Sequence, residues 1–146
     1  MALIKDYFEK TKQYIEEYGE NTIVLMQVGA FFEVYGLQNK TNSNITGSQI
    51  SNFSQICDLN IADKKICVGK ENVIMAGFSH YMIDKYLKKL QEAGYTIIVF
   101  TQDEQAKNTT RSLAGIYSPG TYFSLESTTR ITNNITCIWI HVANNI

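Results

Sequence analysis

Charge of one sign, long apolar runs and paired cysteines are all missing from this 146-residue sequence. Each absence removes a class of protein. Thirteen basic against 14 acidic side chains leave a formal net charge of −1. A sequence-blind coat for nucleic acid gains its affinity from released counterions and needs a large positive excess. That class is excluded, whereas a small local contact with DNA is not. No apolar run approaches the roughly 20 residues that cross a bilayer. The opening MALIKDYFEK turns charged too early for a secretory signal, so no membrane partner is expected. Cys57, Cys67 and Cys137 are odd in number, widely spaced and without a C-x-x-C pair. Reduced thiols in an intracellular compartment are expected, not a disulfide framework or a zinc site. Triplets such as Asn44-Ile45-Thr46 and Asn108-Thr109-Thr110 are then accidents of composition, not glycosylation sites. The Asn-, Ile- and Lys-rich composition fits an AT-rich genome and leaves nucleus, cytoplasm, organelle and viral factory open.

Catalytic signatures are scarce as well. No phosphate-cradling G-x-x-x-x-G-K-[ST], no G-x-G-x-x-G and no G-x-S-x-G occurs. Gly69-Lys70 is a turn dipeptide without the upstream glycine of a phosphate loop. His80 and His141 stand far apart, and neither has a ligand partner at metal-binding spacing. No catalytic residue and no metal ligand is therefore assigned. A nuclease-like acidic cluster would require the fold to gather Asp58, Asp63 and Glu71.

What the chain does have is core material: 45% of residues are apolar and 12% aromatic. Helical spacing of Leu3, Ile4, Tyr7, Phe8, Thr11, Tyr14, Ile15 and Tyr18 predicts an amphipathic helix ended by Gly19. Residues 23–28 read as a buried strand, and residues 31–35 as a second one stopping at Gly36. Residues 37–48 are polar and read as a loop. A short helix over 49–59 is followed by extended segments at 60–68 and 71–76. A helix over 80–93 follows, with Ser79 as its cap. Strands are expected at 95–101 and 111–117, separated by a polar loop, with a Ser118-Pro119-Gly120-Thr121 turn after the second. Residues 135–142 read as one more apolar strand, the start of a truncated second domain. The alternation predicts an α/β fold, a mixed central β-sheet flanked by helices in a single compact domain of three layers or fewer.

The most informative segment is Val28-Gly29-Ala30-Phe31-Phe32-Glu33-Val34-Tyr35. Side chains alternate along a strand, so Phe31 and Glu33 share one face and Phe32 and Val34 the other. One face then carries an aromatic ring with a carboxylate two residues on. Composition alone reads this plainly: Phe31 is core and Glu33 is a solvated strand-end charge.

These residues also carry a resemblance. Val28-Gly29-Ala30-Phe31-Phe32-Glu33 resembles the G-x-F-Y-E segment near the N-terminus of the MutS DNA mismatch-repair family. Ile74-Met75-Ala76-Gly77 resembles its P-M-A-G, with Ile74 in place of proline. Tyr86-Leu87-x-x-Leu90-x-x-x-Gly94 resembles its Y-L-x-x-L-x-x-x-G helix. Residues 96–102 stand where the family has a strand ending in Glu-Gln, with Thr101 for the Glu. Arg111 and Ser118-Pro119-Gly120-Thr121 resemble its E-R and T-P-G-T elements. Order and spacing agree from Tyr7 to Thr121. The departures are an insertion over 37–50, the reversed order of His80-Tyr81, and Gly115 for an arginine.

The resemblance implies a mismatch-recognition domain over residues 1–122. Residues 123–146 would be a linker and the first strand of a connector domain. Phe31 would enter the minor groove and stack on a mispaired base, and Glu33 would hydrogen-bond to that base. Lys85, Lys88 and Lys89 form a helical stripe, either a phosphate contact or a solvated face. The partners implied are mismatched double-stranded DNA, the remaining domains of a longer parent, and a second copy of that parent. ATP and magnesium would serve only the parent, and the fragment itself would not be an enzyme. Two other classes stay open on the residues: a small metal-dependent nuclease-like domain, and a protein-interaction module without DNA specificity. If the resemblance holds, Phe31 should be at least partly exposed and Phe32 buried.

Overall fold

The computed structural model describes residues 1–103, 110–121 and 136–142. The chain opens with α1 (Ala2–Tyr18), followed by the antiparallel pair β1 (Thr22–Val28) and β2 (Phe31–Asn39). A two-residue β3 (Ile45–Thr46) folds back on the end of β2. Next come α2 (Ile50–Cys57), β4 (Ala62–Val68) and β5 (Glu71–Ser79). A 3₁₀ turn (His80–Met82) leads into α3 (Ile83–Glu92), then β6 (Thr96–Gln102) and β7 (Arg111–Tyr117).

The strands form one mixed sheet in the order β4-β5-β2-β1-β6-β7, with β3 beside β2. β1 and β6 run parallel and all other pairs antiparallel. A parallel pair needs a long crossover, and the segment between β1 and β6 supplies it with two helices. The continuous apolar runs of β1 and β6 follow from their central place, where both sheet faces are covered.

α1 covers one face. Its Tyr7 meets the Tyr35 ring edge-on at 5.0 Å and donates its hydroxyl to the Val24 carbonyl at 3.1 Å. α2 and α3 cover the other, where Phe78 packs on Phe32 (6.0 Å), Phe53 (6.3 Å) and Tyr86 (4.4 Å). Burying one such ring stabilises the fold by roughly 1.5–3 kcal/mol. The result is three layers, helix, sheet and helix pair, with a core on each side of the sheet.

The chain departs from its sequence reading at several points. Gly36 does not end β2. It lies inside the strand because a Cβ there would stand 2.5 Å from the Ile50 side chain, so glycine lets α2 approach the sheet. Residues 37–48 are not all loop: Leu37 and Gln38 pair with Thr46 and Ile45. Asn39 turns the chain there, its side-chain oxygen accepting from the Thr41 N–H at 2.8 Å. Ser79 makes no side-chain cap, and the helix expected from residue 80 begins as a 3₁₀ turn. The strand expected over 135–142 is absent from residues 136–142. They are exposed and unpaired with any strand among the described residues, and a strand without a neighbour has no ladder to hold it. Ile135 itself, and most of the loop expected between β6 and β7, lie outside the described residues.

Candidate functional site

The site is built on the hairpin that joins β1 to β2. Val28 pairs with Phe31, leaving a loop of two residues, Gly29 and Ala30. Gly29 has φ 59°, and Ala30 is not among the residues of positive φ. That is the pattern of a II′ turn, which favours glycine at its first central position.

Long-range hydrogen bonds brace this turn. The Gly29 N–H donates to the Gln102 side chain at 2.7 Å, and the Gln102 N–H donates to the Gln27 side chain at 3.0 Å. Gln27 returns a bond to the Gly29 carbonyl at 3.1 Å, and Arg111 Nε donates to the Gln27 carbonyl at 2.7 Å. From the other side, the His80 N–H reaches the Ala30 carbonyl at 2.9 Å, with the ring Nδ1 3.0 Å from the same oxygen.

Phe31 leaves this turn 53% exposed, while Phe32 is 4% exposed in the core. The alternation reading of the two rings is met. Tyr81 is 82% exposed, its ring 3.9 Å from that of His80, so a second aromatic stands close to the turn.

Glu33 is a different case. It is not the solvated strand-end charge that composition suggested, since it is only 6% exposed. β4 reaches it over β5. Lys64 on β4 places Nζ 2.9 Å from Glu33 Oε2, and the Tyr35 hydroxyl donates to the same oxygen. Lys64 Nζ also lies 5.4 Å from the centre of the Tyr35 ring. Burial, followed by the Glu33 carboxylate, pushes the Tyr35 phenol well above its ordinary range. Gly77 faces Glu33 across the β2–β5 ladder. A Cβ there would stand 2.5 Å from the Phe32 carbonyl and 3.3 Å from Glu33 Cγ, so only glycine leaves the carboxylate its place.

The lysine stripe on α3 is dispersed in its contacts. Lys85 is exposed, with Nζ 5.3 Å from the Tyr86 ring, and Lys88 stands 3.9 Å from Glu92. Lys89 is half-buried and acts on Cys57 of α2, whose thiol burial nevertheless pushes up to about 11. Neither Phe31 nor Glu33 is among these partners. Asp58, Asp63 and Glu71 are not gathered: no group of three metal-ligating side chains occurs among the described residues. No helix among them is long and apolar enough to cross a membrane.

Sequence reasoning missed Lys64 and Tyr35 as partners of Glu33, and the Gln27–Gln102 brace. Nothing in the run Ala62-Asp63-Lys64-Lys65 marks the first lysine as inward-facing. The brace joins residues some 75 positions apart and has no local signature.

The fold and site thus describe a small α/β domain that carries a half-exposed aromatic ring on a braced turn, two residues from a held carboxylate. The chain belongs to the MutS domain I family, which matches residues 4–126. Among its curated relatives is the putative DNA mismatch repair protein mutS homolog L359 of Acanthamoeba polyphaga mimivirus. The two are 32% identical over 119 residues, covering 81% of this chain and 10% of that protein. The DNA mismatch repair protein MutS of Fusobacterium nucleatum is 27% identical over 143 residues, covering 94% of this chain and 14% of the relative. The mitochondrial DNA mismatch repair protein mutS homolog of Sarcophyton glaucum is 26% identical over 136 residues, covering 77% and 13%. The chain therefore spans between a tenth and a seventh of the length of these relatives.

Proposed function

We propose that this domain probes duplex DNA for mispaired bases from the minor groove, with Phe31 as the inserted ring and Glu33 as the acceptor for a base donor. The observation that carries the reading is Phe31, a large aromatic left 53% exposed at the tip of a turn that four side chains hold in place. An apolar wedge unstacks a base step at a cost of about a few kcal/mol, least where the pairing is already faulty. Softer mismatched DNA also bends more easily, so its deformation becomes part of the readout. Glu33 adds discrimination, because a carboxylate facing anionic DNA is unfavourable where no base donor compensates it.

Near-neutral net charge is compatible with this role if most of the non-specific affinity resides elsewhere in a longer parent. That parent would act inside the cell as a dimer, with ATP and magnesium bound beyond this chain, which has no phosphate-loop motif. In this reading Lys85, at the solvent face of α3, is the best placed of the three lysines to touch phosphate.

The test is Phe31→Ala in the full-length protein, by competition titration of matched and single-mismatch duplexes. Base–aromatic stacking is worth roughly 1–3 kcal/mol by alanine substitution. Preference for the mismatch should fall on the order of ten- to a hundredfold while non-specific binding survives. Glu33→Ala should instead leave paired DNA bound as well or better, narrowing the ratio from that side. An unchanged ratio in folded Phe31→Ala protein refutes the reading.

A further inference from the structure

Lys64 and Tyr35 both spend their contacts on a single oxygen of Glu33. Lys64 Nζ is 2.9 Å from Oε2, and the Tyr35 hydroxyl donates to Oε2 as well. Among the described residues no donor reaches Oε1. The one buried side-chain polar atom there without a partner is Thr11 Oγ1, so Oε1, unpartnered, keeps an opening to solvent. The carboxylate is thus held by one oxygen and offers the other.

We propose that Lys64 is a positioning residue for mismatch discrimination: it fixes Glu33 through Oε2 so that Oε1 is the acceptor presented to the mispaired base. The inference rests on the reading of Glu33 given above. Three features support it. Lys64 is itself three-quarters buried in its side chain and comes from β4, two strands away from β2, so the pair is a deliberate crossing of the sheet rather than a neighbour contact. Gly77, on the strand between them, contributes no side chain and leaves the path over β5 open. Tyr35 is pinned from behind by Tyr7, so the second donor to Oε2 cannot drift.

A carboxylate that has already satisfied one oxygen internally has few orientations left, and losing the ammonium would leave it held by the Tyr35 hydroxyl alone, free to turn about that one bond. An acceptor fixed before binding loses less freedom when the base arrives than one that must be ordered then. Lys64 thereby acts through Glu33 and not by touching DNA itself.

The two roles are separable by salt. A lysine on phosphate lowers the slope of log affinity against log salt by about one when removed, because one fewer counterion is released. A lysine that only holds Glu33 leaves that slope alone. In the full-length protein, Lys64→Met should therefore reduce mismatch preference on the order of three- to tenfold with an unchanged salt slope. Lys64→Arg, which keeps the charge and a donor, should restore most of the preference. The double variant Glu33→Gln with Lys64→Met carries no unpaired charge, so it keeps the test alive if Lys64→Met alone fails to fold. In the Glu33→Gln background, Lys64→Met should cost no further preference, because the carboxylate whose second oxygen it presents is already gone. A reduced salt slope, a further loss in the Glu33→Gln background, or a native ratio in folded Lys64→Met overturns the proposal while Phe31→Ala still loses preference. If Phe31→Ala keeps the native ratio, the wedge reading itself has failed and the role of Lys64 fails with it.

Discussion

Phe31 and Glu33 are two residues apart on one strand and face the same way, yet they live in opposite surroundings. Phe31 stands at the open end of the sheet with half its surface in water. Glu33 is enclosed one step further in, between a tyrosine and a lysine. Alternation along β2 sets the direction of both side chains, but depth along the strand decides what each meets. An apolar group is left where burial would favour it, and a charged group is buried where hydration would favour it. Each local cost is offset by a brace: hydrogen bonds on the turn for the first, and the Lys64–Tyr35 pair for the second.

The buried half can be broken outright by alkali. Tyr7 and Tyr35 both have phenols raised above their ordinary value, chiefly by burial. Their contribution to stability is complete below the unfolded value of about 10 and is lost as pH rises through the higher folded values. Unfolding followed by circular dichroism should therefore set in above pH 10, with tyrosinate absorbance from these two rings rising together with it. Ionisation of Tyr7 or Tyr35 in a protein that is still fully folded would contradict the enclosure of this face.

A smaller effect separates neighbours. Phe32→Ala empties a site packed against Phe78 and should cost about 3–5 kcal/mol in urea unfolding of the isolated chain. Phe31→Ala, made at an exposed position, should change stability by no more than about 0.5 kcal/mol. Equal losses would erase the distinction between the two rings.

The smallest effect tests the brace. Gln102→Ala removes the acceptor for the Gly29 N–H, an exposed bond worth about 0.5–1.5 kcal/mol. Stability should fall by no more than that, while amide exchange at Gly29 accelerates. Unchanged exchange would mean that the turn holds itself.

Much of this architecture was legible before any coordinates. α1, β1 and α2 are found where apolar periodicity put them, because each buries a continuous stripe or run, and β7 is found at 111–117 as an edge strand with no buried residue. The resemblance gave the family, and alternation separated Phe31 from Phe32. Gly36 misled because glycine in a strand reads as a stop, whereas here it admits Ile50. Residues 136–142 misled because an apolar run encodes burial, not a partner to be buried against. The surroundings of Glu33 were illegible in principle: they depend on a lysine 31 positions later, brought in by strand order rather than spacing.

The parallel pairing of β1 with β6 has a consequence for how the chain is made. Gln27 leaves the ribosome 75 positions before the residue it clasps, and 84 before Arg111. At about 5–20 residues per second, translation takes roughly 4–17 seconds to supply that last clasp. For most of that interval the turn beside Phe31 lacks the Gln102 and Arg111 bonds, and His80, 50 positions after Ala30, is the earliest anchor to be made. A nascent or prematurely ended chain thus holds the probe but not the rigidity, and the turn becomes fixed only once nearly all of the domain has been synthesised.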